Sequence, residues 1–164
     1  MPHTFVFKRI SAASIPEALK KADRYRLLGE PDEAESVCLD ILHVDPGNQE
    51  ALISLILALS DQFKNERRPR VEVAQRYVAA LTDEYQRRYY NAVVLERDAM
   101  AQFGRDTPPV IVFLRFCEAM DAYEAAAAVQ PPGEDSPALR WNACLRAIRR
   151  RQLKPGLEET YESA

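Results

Sequence analysis

The chain has 164 residues, 47% hydrophobic and 29% charged, proportions of a folded globular domain or short repeat array that exclude a disordered or collagenous polypeptide. Its 22 basic and 25 acidic residues leave a formal net charge of -3, so no global field draws it to nucleic acid or to an anionic membrane. No apolar run, that around Val110 to Phe113 included, approaches the ~18 residues of a membrane span.

Residues 1–14 read as an extended N-terminal extension. The opening MPHTFVFKRISAAS has neither a basic region ahead of its apolar residues nor a long apolar stretch, so it does not read as a secretory signal and the protein is expected in the cytoplasm. From residue 15 onward, apolar residues recur at i, i+3, i+4 and i+7, which predicts helices over 15–28, 31–44, 48–63, 69–81, 83–103, 108–129 and 136–152. Pro31 suits a first helical turn, and Asp45-Pro46-Gly47-Asn48 is a stop and restart in which Asn48 can cap the next helix. Short turns of this kind imply antiparallel neighbours. The expected organisation is an all-α domain of about seven helices over 15–153, in pairs 15–44, 48–81 and 83–129 with an end helix at 136–152, followed by an acidic tail at 154–164.

Several chemistries lack their residues. Cys38, Cys117 and Cys144 are odd in number and far apart, which argues for buried thiols and against a disulfide framework or zinc site. His3 and His43 have no histidine partner at helical spacing, and the five glycines are scattered singly, so neither a histidine-based site nor a phosphate-cradling loop is expected. No serine stands in a nucleophile-elbow pattern. The expectation is a non-catalytic protein with no cofactor and no metal.

The series Ala22, Tyr25, Gly29, Ala34, Cys38, Ile41, Pro46 resembles a tetratricopeptide repeat, a unit of about 34 residues. Ala18 stands where that family often has Trp. The ladder Ala34, Cys38, Ile41, Pro46 returns at one constant offset as Ala119, Tyr123, Ala126, Pro131, with Ala74, Val78 and Leu81 as a middle copy. The offset exceeds two ideal repeats, and the surplus falls to the loop Lys64-Asn65-Glu66-Arg67-Arg68-Pro69 and to longer helices across 83–129. Arg87-Arg88-Tyr89-Tyr90, Glu96-Arg97 and Arg140-Trp141-Asn142 are also similar to short stand-alone bacterial tetratricopeptide-repeat proteins of unassigned activity. The resemblance implies a solenoid of antiparallel helix pairs, with Trp141 on an end helix that covers helix six.

It also implies a concave groove, lined by the first helix of each pair, that takes a protein or peptide segment of acidic character. Lys20, Asp23, Ser54 and Leu57 do not assemble the family's two-carboxylate clamp. The better-supplied stripes are Arg87 with Asn91 on helix five and Asn142 with Arg146 on the last helix, and these four residues form the expected peptide site. Against this stands the plainer reading of solvated helix faces, with Arg149-Arg150-Arg151 answering a helix dipole. Two alternatives use other residues. The basic stretch 137–155 offers a weak anionic-ligand or nucleic-acid surface, although no interleaved aromatics accompany it. Glu96, with Arg97 or Asp98 and the tyrosines, offers a groove carboxylate for acid-base work. Tyr85, Tyr89, Tyr90 and Tyr123 are expected in the core, and a homo-oligomer is compatible with the sequence.

Overall fold

A computed structural model describes residues 3–65 and 71–156. Among them the regular structure is entirely helical: α1 Ile15–Leu27, α2 Pro31–Val44, α3 Gln49–Asp61, α4 Val71–Ala79, α5 Glu84–Ala101, α6 Pro109–Ala127 and α7 Ser136–Arg150. No helix among the described residues is long and apolar enough to cross a membrane.

The helix ends follow local chemistry. Asn48 accepts a hydrogen bond from the Ala51 amide at 2.9 Å, and Asp83 accepts one from the Gln86 amide at 2.9 Å, so α3 and α5 start where a side chain satisfies an orphan N–H. α1 stops at Gly29, whose φ of 75° is costly for any side chain. There Glu30 donates to the Tyr25 carbonyl and Gly29 to that of Arg26, the paired bonds of a Schellman turn. The same pattern closes α7 around Gln152 and Leu153, with Leu153 folding back on the core. Six helices end a residue or two inside their expected spans because last-turn residues tighten into i to i−3 bonds, as Ala80 and Leu81 do after α4. The expected extended segment 1–14 closes with one 3-10 turn at Ala12–Ser14, and a second, Gln102–Gly104, follows α5. Residues 66–69 of the expected loop and 157–164 of the expected tail lie outside the described residues.

Every helix packs on the next one in chain order, and α3 also touches α1 and α5. α5 stands between two cores. Val94 and Ala101 join the core of α1 to α4, while Ala92, Val93 and Ala99 join that of α6 and α7. α3 is the most enclosed element, burying Leu52, Leu55, Ile56, Ala58 and Leu59 among others. Nine of the eleven ladder positions, Ala34, Cys38, Ile41, Ala74, Val78, Leu81, Ala119, Tyr123 and Ala126, are buried, while Pro46 and Pro131 are exposed at the helix ends. The alanines at the start of each triplet have no exposed surface, which leaves no room for a larger side chain.

Replacing Ala34 or Ala119 by Leu is therefore expected to destabilise the fold by roughly 1–3 kcal/mol each, since the added methylenes must push helices apart. Urea denaturation measures this, and midpoints equal to the parent's would contradict the packing.

Candidate functional site

Three consecutive ionisable residues on α5, Glu96, Arg97 and Asp98, are sent in three directions by the 100° step of the helix. Glu96, only 3% exposed, accepts a hydrogen bond from the Tyr123 hydroxyl of α6 at 2.5 Å and two from the Arg140 guanidinium of α7, the one from Nε at 3.1 Å. Arg97 donates to Asp61 at the end of α3 at 2.5 Å. Asp98 turns toward α6, accepting from Arg115 at 2.6 Å and from Gln102 at 3.1 Å. An isolated carboxylate at these burials would be strongly destabilising, so each has a partner. Burial, reinforced by the Glu96 charge, pushes the Tyr123 phenol far above its ordinary range, and hydrogen bonding to Glu96 raises the Arg140 guanidinium.

Asp61 is shared. Its second oxygen accepts from Arg26 of α1 at 2.9 Å, so one carboxylate ties α1, α3 and α5 together. Further along the same pair, Ser54 of α3 donates to Asp23 of α1 at 3.1 Å. These contacts border a cleft of about 390 Å³ lined by Ser60, Asp61, Lys64, Glu96, Arg97, Met100 and Arg140. Three cations, Lys64, Arg97 and Arg140, line it against two carboxylates, and Arg26 adds a fourth from behind Asp61. The cleft is cationic on a chain whose net charge is negative.

The four residues expected to form a peptide site are placed as follows. Arg87 donates through one nitrogen to the carbonyls of Leu81 and Thr82 at 2.8 and 2.9 Å, holding the turn between α4 and α5. Asn91 is half-buried on α5, and Asn142 and Arg146 are exposed on α7. Asn142 lines a smaller cleft with Trp141 and Tyr123, one whose lining includes none of Arg87, Asn91 and Arg146. Trp141 is half-buried against the core residues of α6. Tyr85 stacks on Tyr89, which meets Tyr90 edge-on and Tyr123 at a tilt, with Tyr89 and Tyr90 packed against the core. In the arginine run, Arg151 lies over the Phe103 ring at 4.3 Å, while Arg149 and Arg150 are exposed.

Sequence reasoning passed over Lys64, Arg140 and the pairing of Arg97 with Asp61. One signal was present. Arg26 precedes Asp61 by 35 residues and Arg97 follows it by 36, so opposite charges recur at a near-constant spacing on the alternate helices α1, α3 and α5. Nothing comparable announces Arg140, which lies 44 residues beyond Glu96.

No group of three or more histidines, cysteines or carboxylates among the described residues is arranged to hold a metal ion. The cysteines are free thiols, and burial pushes Cys38 and Cys144 each up to about 12. No protein-family model, curated protein or solved structure matches the chain.

Two outcomes are expected. Arg140→Met should cost roughly 2–4 kcal/mol, somewhat below the loss for a fully buried pair because Arg140 is partly solvated, and Tyr123→Phe about 1–2 kcal/mol because Arg140 still neutralises Glu96. Equal unfolding free energies for both variants and the parent would refute this account of Glu96. The thiols give a pH dependence. Above pH 9 the unfolded chain releases protons that Cys38 and Cys144 retain in the fold, so stability falls as pH rises from about 9 toward 12. A Cys38→Ala, Cys144→Ala double variant should show a shallower alkaline decline in thermal midpoint than the parent, and parallel declines would contradict the assignment.

Proposed function

We propose that this protein is a non-catalytic interaction module, a tetratricopeptide-like solenoid that takes an acidic protein segment along the face shared by α3, α5 and α7. The observation that carries the reading is the excess of Lys64, Arg97 and Arg140 over Asp61 and Glu96 around one open cleft, on a chain of net charge -3. Packing of each helix on its successor, with added contacts of α3 to α1 and α5, and burial of the first three positions of each ladder copy support the solenoid.

The cations differ in availability. Arg97 and Arg140 each hold a carboxylate, which fixes their guanidinium planes and leaves further N–H donors for an incoming anion. Lys64 is exposed and makes no hydrogen bond or ion pair among the described residues, so its ammonium is open to a ligand. Arg87, committed to two backbone carbonyls, has a turn-holding role. Asn91, Asn142 and Arg146 stand outside the lining of this cleft. The groove-carboxylate reading is less well supported: both oxygens of Glu96 are occupied by hydrogen bonds from Tyr123 and Arg140.

A capped, fluorescently labelled hexaglutamate peptide tests the site. The parent should bind it with an affinity that falls as salt is raised, and Lys64→Glu should weaken binding at least fivefold with an unchanged melting temperature. No binding by the parent at low salt, or equal affinity for parent and variant, would overturn the proposal.

A further inference from the structure

A second cleft, of about 230 Å³, opens between the C-terminal end of α6 and the N-terminal half of α7. Pockets for drug-sized ligands run to about 300–1,000 Å³, so this one is sized for a single side chain or a small amine. Its walls are Tyr123 and Pro137, both buried, and the half-buried Trp141. The polar groups around it are Glu124, Gln130 and Asn142.

These polar groups share a preference. The Gln130 side-chain oxygen is buried and receives no hydrogen bond. A buried acceptor left unpaired is costly, and a donor from a ligand would satisfy it. Glu124 stands exposed at the rim, the one carboxylate of the lining, and no other side chain among the described residues engages it. The Tyr123 hydroxyl is already directed to Glu96, so the tyrosine, itself without exposed surface, contributes only its buried ring to the wall. Arg140, the cation nearest in sequence to Trp141, is drawn away to Glu96.

An aromatic face, an orphan acceptor and an unpaired carboxylate together select a cationic donor. We propose that this cleft binds an alkylguanidinium, with its plane stacked on Trp141, one edge toward the Glu124 carboxylate and an N–H to the Gln130 oxygen. A guanidinium suits the slot better than an ammonium because it is planar, weakly hydrated and has five donors. The same chemistry is carried by an arginine side chain of a partner and by a free small guanidine. The site is separate from the cationic cleft, and its chemistry is opposite in sign.

Trp141 is the only tryptophan in the chain, so its fluorescence reports this cleft without labelling. The full chain is titrated with n-butylguanidinium, with acetyl-Gly-Arg-Gly-amide, and with n-butylurea, a neutral compound of the same shape. Butylguanidinium should change Trp141 emission saturably, with a Kd on the order of 1–10 mM as befits so small a ligand. Butylurea should bind at least fivefold more weakly. Tighter binding of the arginine peptide than of butylguanidinium would assign the site to a partner's side chain, and weaker binding would assign it to a free guanidine. Glu124→Gln should weaken butylguanidinium binding about three- to tenfold while leaving butylurea unaffected. No saturable change in the unaltered chain, or butylurea binding as well as butylguanidinium, would overturn the proposal without recourse to any variant.

Discussion

A carboxylate taken out of water has to be neutralised where it lies, and in this protein that requirement falls on Glu96. Its two oxygens draw Tyr123 from α6 and Arg140 from α7 to one point on α5, so three helices are referred to a single buried charge. Hydrophobic burial has no direction of its own, and alanine-rich surfaces such as that of α6 would pack almost as well after a small slide or rotation. A hydrogen-bonded ion pair tolerates far less displacement. Tyr123 serves both demands at once, because its ring fills a ladder position while its hydroxyl closes the polar contact.

That anchor sets the geometry of both clefts. With Arg140 fixed to Glu96, the 100° step to the next residue carries Trp141 toward α6 and leaves Arg140 facing α3 and α5. The cationic cleft and the aromatic one are thus successive faces of a single helix, and their opposite preferences arise from adjacent residues. Along the cationic cleft, Asp61 plays the matching part for α1 and α3, except that it stays about one-fifth exposed and keeps contact with solvent.

The helices were legible in the sequence because two independent signals agreed. Apolar periodicity placed their faces, and capping residues such as Asn48 and turn residues such as Gly29 placed their ends. Burial of the ladder alanines was legible for the same reason, since a small residue recurring at one helical register marks close approach. The side-chain pairings were much less so. Arg87 looked like an exposed groove residue because its partners are the backbone carbonyls of Leu81 and Thr82, which no side-chain pattern records. Arg140 lies in an evidently basic stretch, and only the tertiary fold reveals that a buried carboxylate is its partner. Where charge pairing followed a near-constant spacing, at Arg26, Asp61 and Arg97, that spacing did hold the information.

The charge arrangement also constrains how a partner is recognised. In physiological salt a surface charge is felt over roughly 8 Å, so three or four cations on a net-negative chain cannot gather an acidic segment from a distance. Their attraction acts once the segment is already close, where it fixes register and lengthens residence more than it speeds encounter. The paired state of Arg97 and Arg140 strengthens that role. Each is already held in a defined plane by a carboxylate, so a ligand that meets their remaining donors orders little that was free, and most of the ordering cost of the contact falls on Lys64 and on the ligand itself.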